Sequence, residues 1–182
     1  MTGSLPPFFR PDEILPVGKL PAALLGHLIS RNPITDPAVI VGPGIGRDAA
    51  AIELDDLTIV VKTDPITFAT ESAPRYLVNV NANDLACLGA TPRWLLVTAL
   101  LPEGKTTPAM VDALFGELQQ ACRERDIALV GGHTEITAGL DRVILVGFLI
   151  GVTQRGRLLR PGGAKPGDRL LLTRWRSKAQ RC

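Results

Sequence analysis

The stretch Asn79-Val80-Asn81-Ala82-Asn83-Asp84-Leu85-Ala86-Cys87-Leu88-Gly89 sets three asparagines and one aspartate inside an apolar helical pattern. The apolar positions predict a helix over residues 74–88 that Gly89 ends. Asn and Asp are poor formers of a helix interior, and burying such a group without a partner costs about 1–3 kcal/mol. A solvated helix face would also explain them, but the apolar flanks leave little room for one. We therefore expect a polar ligand, such as hydrated magnesium with phosphate, against this helix.

Strands and further helices flank this helix on both sides. Strand-like runs precede it at residues 38–41, 49–54 and 57–63, the last two forming a hairpin through Asp55-Asp56. After it we predict a strand at 93–101, an amphipathic helix at 107–125, a short buried strand at 127–130, and strands at 143–152 and 169–173. Residues 19–31 predict a short amphipathic helix that Asn32-Pro33 ends. Because strands and helices do not alternate strictly, we predict an α+β fold with a mixed or antiparallel sheet packed against helices.

The composition argues against several classes of function. The chain has 182 residues, of which 46% are hydrophobic and 4% aromatic, as expected for a globular domain with an aliphatic core. The net charge is +2 with no clustered basic stripe, so we expect no nucleic-acid partner. The apolar run at 143–152 is shorter than the roughly 20 residues needed to cross a bilayer, and the amino terminus lacks a secretory pattern. We therefore expect a soluble, cytoplasmic protein without a membrane partner.

The cysteines and histidines are dispersed along the chain. Cys87, Cys122 and Cys182 are odd in number and far apart, and no CxxC pair is present. Neither His27 nor His133 has a Cys or a second His at ligand spacing. A disulfide framework and a structural zinc site are therefore not expected.

A glycine-rich segment, Gly44-Ile45-Gly46-Arg47-Asp48-Ala49-Ala50, precedes the predicted hairpin. Gly44 and Gly46 allow backbone N–H groups to approach phosphate oxygens, and Asp48 beside them can hold magnesium. The segment also matches the Gly-x-Gly-x-x-Ala form of a dinucleotide fingerprint, but that motif must open a helix rather than a hairpin. Taken alone, a plain glycine turn with a capping Asp explains the segment equally well.

Two further polar segments follow predicted strands. Lys62-Thr63-Asp64-Pro65 places a carboxylate at a strand end, although Asp before Pro is also a common turn. Gly131-Gly132-His133-Thr134-Glu135 follows the strand at 127–130, where the glycines allow close backbone approach and His133 and Glu135 can reach a ligand. A glycine-rich turn with incidental polar residues is the alternative. Taken together, the segments supply a candidate magnesium cluster, consisting of Asp48, Asp64, Asp84 and Glu135.

The segments GIGRDAA, VVKTDP, NANDLACLGATP and GGHTE, in this order between Val41 and about Thr173, resemble one known superfamily. It contains aminoimidazole ribonucleotide synthetase, selenophosphate synthetase, thiamine-monophosphate kinase and the hydrogenase-maturation carbamoyl dehydratase. The chain most resembles the hydrogenase-maturation or synthase-related branch. The resemblance implies an α+β amino-terminal domain that forms a homodimer and binds ATP with Mg²⁺. A second domain closes over the site, and the shared chemistry is ATP-dependent phosphorylation of an amide- or thioamide-type oxygen.

The resemblance also implies roles for individual residues. Asp48, Asp64 and Asp84 resemble the magnesium and phosphate ligands, and Asn83 resembles a polar partner in the same helix. The other candidate nucleotide contacts lie within the matching motifs and are Gly44, Gly46, Lys62, Gly131, Gly132 and His133. The thiamine-phosphate kinase and hydrogenase-maturation sequences commonly have Asp where His133 stands, whereas selenophosphate synthetase has a similar Gly-Gly-His-Thr. Glu135 is therefore the candidate fourth metal ligand, and no catalytic residue is assigned.

The domain organisation expected from the resemblance has three parts. Residues 1–36 form an arm and helix, residues 37–173 the ATP-binding domain, and residues 174–182 an aberrant tail. The tail has neither a helical nor a strand period, and a frameshift near Arg174 that removes the second domain would explain it. Cys182 is then not the functional terminal cysteine of the hydrogenase-maturation enzymes.

Three functions remain open at this point. The first is an ATP-dependent dehydratase or synthetase, with a maturation protein as a partner in the hydrogenase branch. The second is a non-catalytic nucleotide-binding or dimerisation fragment. The third is a small-molecule kinase of the thiamine-phosphate type, although such kinases usually have a Met-rich segment where this chain has Pro65-Ile66-Thr67-Phe68.

Overall fold

The computed structural model describes residues 9–68, 71–160 and 162–171. Its helices are α1 (Ala22–Ser30), α2 (Ala73–Cys87) and α3 (Pro108–Arg123). Its strands are β1 (Val39–Val41), β2 (Ala50–Leu54), β3 (Leu57–Ile66), β4 (Thr91–Pro102), β5 (Ala128–Thr137) and β6 (Ile144–Gln154). None of the described helices is both long enough and apolar enough to cross a membrane.

The six strands form one sheet in the order β1-β2-β3-β6-β4-β5. Only β4 and β5 run parallel, and α3 connects them; every other neighbouring pair is antiparallel. The last strand, β6, therefore lies between β3 and β4 rather than at an edge. This mixed sheet with helices confirms the α+β class predicted from the sequence.

One face of the sheet is covered by α2, against which α3 packs. The core between them is aliphatic and includes Val60, Leu77, Leu85, Leu95 and Leu149, all fully buried. Two glycines of β6 let α2 approach the sheet: a Cβ at Gly147 would lie 3.1 Å from Cγ of Leu77, and one at Gly151 would lie 2.6 Å from Cδ2 of Leu85. The close approach of helix and strand brings polar residues of α2 next to β3 and β6.

The opposite face of the sheet has no described helix packed on it, since α1 contacts none of the other elements. Side chains alternate along each strand, so the residues between the buried positions of β4 point to this side, among them Trp94 and Leu96. Trp94 and Phe148 are each 40% exposed. We call this apolar surface the open face of the sheet.

Most predicted elements are confirmed, including the hairpin of β2 and β3. The strand predicted at 127–130 is present but is longer than predicted and is not buried, and the alternative of a glycine-rich turn is wrong. Strand β5 continues through the glycines to Thr137 and is mostly exposed, because it is an edge strand paired only with β4. Gly132 has φ 148°, and a Cβ there would overlap the carbonyl oxygen of Val97, so the strand can lie this close to β4 only with glycine at that position.

The predicted strand at 169–173 is also not observed. Residues 169–171 are irregular, and 172–173 lie outside the described residues. The tail at 174–182 lies outside them as well, as do residues 1–8 of the arm.

Candidate functional site

Lys62 of β3 joins two of the polar segments singled out in the sequence. Its side chain is only 5% exposed and points toward α2. The Nζ atom lies 2.9 Å from Oδ2 of Asp84 on α2 and 3.3 Å from Oδ1 of Asp64, two residues further along the same face of β3. The strand and the helix therefore bring two of the predicted carboxylates to one buried cation.

The two carboxylates of this cluster stabilise the charged form of Lys62. Burial lowers the pKa of Lys62, but the hydrogen bond to Asp84 and the negative charges of Asp64 and Asp84 outweigh it, so the pKa is raised above its ordinary value of 10.5. Lys62 is therefore a cation at neutral pH. Because two carboxylates face one ammonium, the cluster keeps an excess of negative charge.

Asn81 is a further polar residue beside this cluster. It is fully buried, and its Nδ2 donates to the backbone oxygen of Leu77 at 2.9 Å. Asn81 lies one helical turn before Asp84. It packs on Gly147, since a Cβ at Gly147 would lie 2.8 Å from Nδ2 of Asn81. Gly147 is in turn the register partner of Asp64. Its Oδ1 atom has no hydrogen-bond partner among the described residues. A buried amide oxygen left in this state is a free acceptor or metal donor.

The family motif points to Asn83 as the polar partner in this helix. Asn83 is exposed. The helical period itself distinguishes the two residues, because Leu77, Asn81 and Leu85 are spaced four apart and share the buried face. Asn81 therefore lies on the face of α2 that packs on the sheet, and the role of Asn83 stays a prediction.

The glycine segment lies next to Lys62. A cavity of about 290 Å³ is lined by both segments, including Gly42, Asp48, Lys62 and Thr63. The segment leads into β2 and not into a helix, which excludes the dinucleotide fingerprint. The cavity lies on the open face of the sheet, since Val61, Thr63 and Phe148 also line it, whereas the side chain of Lys62 points to α2. Asp48 and the Lys62 cluster therefore lie at the same part of β3 but on opposite sides of the sheet.

Arg47 folds back over the glycine segment. Its Nη1 donates to the backbone oxygen of Gly42 at 3.3 Å, and a Cβ at Gly44 would lie 2.8 Å from Cδ of Arg47. No ion pair forms between Arg47 and any other described residue. On the other side of Arg47 and Asp48 lies a second cavity of about 340 Å³, whose walls include Ile40, Ile45, Leu88 and Arg160.

The fourth segment does not reach this region within the chain. His133 and Glu135 lie on the edge strand β5, and β6 and β4 separate it from β3. At about 4.8 Å per strand, this places β5 about 14 Å from Asp64. Nε2 of His133 contacts Oε2 of Glu135 at 3.1 Å, and Thr137 donates to Oε1 at 2.7 Å. The hydrogen bond from Thr137, and then that from His133, holds the pKa of Glu135 below its ordinary value.

The expected cluster of four carboxylates is therefore not formed within one chain. Among the residues that the structure describes, no group of three or more His, Cys, Asp or Glu side chains can hold a metal ion. The physical reason is the strand order, which places Glu135 three strands away from Asp64. The separate contributions of Asp48, Asp64, Asp84 and Glu135 to metal binding stay predictions.

Comparison with known families identifies the domain. Residues 46–153, more than half of the chain, match the family described as AIR synthase related protein, N-terminal domain. The chain belongs to this family. The match spans all four polar segments almost completely and confirms the resemblance inferred from them.

Two relatives of this AIR-synthase-related domain illustrate how the family varies. A Methanocaldococcus jannaschii protein named for hydrogenase expression and formation is 29% identical over 166 residues, covering 86% of this chain and 48% of the relative. A thiamine-monophosphate kinase of Salmonella typhimurium is 34% identical over 144 residues, covering 73% of this chain and 42% of the relative. The chain thus spans less than half the length of these two proteins.

A solved structure shares the fold of the AIR-synthase-related domain. AaThiL in complex with AMPPCP and TMP superposes with a TM-score of 0.61 at 22% identity, covering 76% of this chain and 43% of that one. At this identity the likeness establishes the fold.

Proposed function

We propose that this AIR-synthase-related domain binds ATP with Mg²⁺ at the glycine segment and the Lys62 cluster. The observation that carries the proposal is that the Lys62 cluster, with Asp64 and Asp84, and a cavity lined by Asp48 lie at the same part of β3, one on each side of the sheet. Glycine backbone N–H groups, a lysine and carboxylates are the groups that hold a metal-bound polyphosphate. AMPPCP, the ligand of AaThiL, is an analogue of ATP, which agrees with this assignment.

Each part of the site has a role in this proposal. The backbone at Gly44 and Gly46 would approach the phosphates, as the resemblance implies, and the guanidinium of Arg47 retains free donors for them. The cavity on the far side of Arg47 has the apolar walls that suit a nucleobase. The nucleotide would then extend across Arg47 and Asp48 from one cavity to the other.

The residues present fit a magnesium ion. Mg²⁺ prefers oxygen ligands and keeps several waters. The carboxylates of Asp64 and Asp84 converge on one point, and Asn81, whose buried Oδ1 has no described partner, lies one helical turn before Asp84. Asp48 lines the adjoining cavity. When bound, magnesium neutralises charge on the phosphoryl group during transfer. Asp64 and Asp84 would hold the ion, and without it Lys62 balances their charge.

A homodimer is part of the proposal. The open face of the sheet exposes Trp94 and Phe148 with no described helix to cover them, and apolar surface of this kind marks an interface. A second copy presents the same apolar surface, so two open faces can cover each other. His133 and Glu135 lie on an edge strand and would contribute to a site only if such an arrangement brings them to one.

The activity of the whole protein is a further proposal, since the chain spans less than half of its relatives. The name of the M. jannaschii relative favours a role in hydrogenase expression or formation. The ATP-dependent dehydratase or synthetase activity, a maturation protein as partner and a cytoplasmic location are proposed with it on the resemblance of the motifs. The S. typhimurium relative supports a small-molecule kinase as the second candidate. A phosphorylation assay on the full-length form with thiamine monophosphate as acceptor distinguishes the two.

Ligand-dependent stabilisation tests the ATP site in the chain as it stands. A ligand at one hundred times its dissociation constant stabilises the folded state by about 2.7 kcal/mol. We expect AMPPCP with Mg²⁺ to raise the melting temperature, and either component alone to raise it far less. No change with both present would contradict the ATP site and leave the dimerisation fragment as the alternative.

A further inference from the structure

The ammonium of Lys62 occupies the position of a cation between two carboxylates. Its Nζ lies within 3.3 Å of oxygens from both Asp64 and Asp84, and the lysine is only 5% exposed. The carboxylates are more open, at 34% and 25% exposed. Lys62 therefore closes the inner side of the pair, while solvent still reaches the acidic groups from the other side.

The two carboxylates need a cation between them. Because both oxygens lie close to the same nitrogen atom, they are close to each other, and like charges at such separations repel. Removing one partner of a buried pair leaves an uncompensated charge, which is strongly destabilising. In the chain without ligand, Lys62 supplies the required positive charge.

The Oδ1 atom of Asn81 shows that this arrangement is incomplete. The side chain is fully buried beside the carboxylates, and its oxygen accepts no hydrogen bond from Lys62 or any other described residue. Burying an amide oxygen without a partner has a cost. A ligand that uses oxygen donors would satisfy Asn81 together with the two carboxylates, whereas the ammonium satisfies only the carboxylates.

We propose that Lys62 and a divalent metal ion compete for Asp64 and Asp84. Without nucleotide, Lys62 holds the carboxylates and the metal binds weakly. A polyphosphate changes the balance, because it offers Lys62 a new anionic partner and releases the carboxylates for the metal. Metal and nucleotide then bind cooperatively. This inference rests on the proposed ATP site and names Lys62 as the residue that couples its two ligands.

Titration with Mn²⁺ in the absence of nucleotide tests the competition. Paramagnetic resonance measures the free ion in the presence of the wild-type chain, Lys62→Met, Lys62→Arg and the distant control Lys105→Met. We expect Lys62→Met to bind Mn²⁺ about tenfold more tightly than the wild type, a typical size for a coupling between sites. The Lys62→Arg and Lys105→Met variants should match the wild type. Equal affinity for Mn²⁺ in the wild type and Lys62→Met overturns the proposal.

The test also covers a variant that does not fold without metal. In that case the circular dichroism of Lys62→Met should return to the folded signal as Mn²⁺ is added, because binding to the folded state stabilises it. A variant that stays unfolded at millimolar Mn²⁺ overturns the proposal as well.

A parallel titration with AMPPCP separates this inference from the proposed function. In the wild type, Mn²⁺ should raise the affinity for AMPPCP, and Lys62→Met should lose most of that increase. If AMPPCP does not bind at all but Lys62→Met still gains affinity for Mn²⁺, the ATP proposal fails and the competition stands. If AMPPCP binds with Mn²⁺ and the Lys62 variants match the wild type in every titration, the ATP proposal stands and the competition fails.

Discussion

Nζ of Lys62 on strand β3 lies 2.9 Å from Oδ2 of Asp84 on helix α2. This contact ties the helix to the sheet through charged groups, in a region where the surrounding contacts are aliphatic. It also joins two segments that are 22 residues apart in the sequence and that sequence reasoning assigned separately to one ligand.

Substitution of Asp84 by Ala should lower the free energy of unfolding by about 1–3 kcal/mol, because it leaves a buried ammonium with one partner instead of two. Urea denaturation measures the change. Asp112→Ala is a matched control on the exposed side of α3, and it should stay within about 0.5 kcal/mol of the wild type. Equal stability of the two variants would show that the Lys62 contact contributes nothing.

The stability of the wild type relative to Lys62→Met should depend on pH in the alkaline range. The folded-state pKa of Lys62 lies above the unfolded value of 10.5. Its contribution is therefore fully present below pH 10.5 and is lost as the pH rises through the folded pKa. Urea unfolding at pH 8 and at intervals above pH 10 measures the difference between the two proteins. A difference that stays constant up to pH 12 contradicts the ion-pair account.

Gly147→Ala should destabilise the fold, because its Cβ would lie 2.8 Å from Nδ2 of Asn81 and 3.1 Å from Cγ of Leu77. Forcing α2 away from β6 should cost about 1–3 kcal/mol. Gly116→Ala is the control, since it lies in α3 with nothing near its Cβ, and it should stabilise by up to about 1 kcal/mol. Thermal unfolding measures the change in stability of each variant, and the two changes should have opposite signs. Unchanged stability of Gly147→Ala would mean that α2 does not pack this closely on β6.

How far the sequence predicts this structure depends on the element. The hairpin of β2 and β3 and the helices α2 and α3 are predictable because their apolar periods and turn residues are local. Strand β5 is not, because Gly131-Gly132 has the composition of a turn. Gly132 instead lies in the strand, where its missing Cβ accommodates the backbone of Val97.

The candidate site shows the same division between local and long-range information. The sequence identifies Lys62, Asp64 and Asp84. Alternation along β3 places Lys62 and Asp64 on one face of the strand, and α2 brings Asp84 to that face. It does not reveal that β6 inserts between β3 and β4, because strand order is a property of the whole chain. That insertion separates Glu135 from the other carboxylates. The role of Asn83 is implied by the resemblance and stays a prediction, whereas the spacing of Leu77, Asn81 and Leu85 shows that Asn81 lies on the buried face of α2.

Trp94→Glu should prevent the proposed homodimer. Trp94 is 40% exposed on the open face of the sheet, so a charge there should leave the monomer folded but oppose burial in an interface. Light scattering should give a dimer for the wild type and a monomer for the variant. The control, Leu54→Glu, lies at the end of the β2–β3 hairpin and should remain dimeric. A monomeric wild-type chain would contradict the homodimer.

The central claim is that Asp64, Asp84 and the glycine segment form one magnesium-dependent ATP site. Calorimetric titration of the wild type and Asp84→Asn with AMPPCP, with and without Mg²⁺, tests it most directly, and Glu124→Gln serves as a surface control. The account predicts binding by the wild type and Glu124→Gln only when Mg²⁺ is present, and a loss of at least about tenfold in affinity for Asp84→Asn. A folded wild-type chain that binds no AMPPCP, or an Asp84→Asn variant that binds as tightly as the wild type, would contradict it.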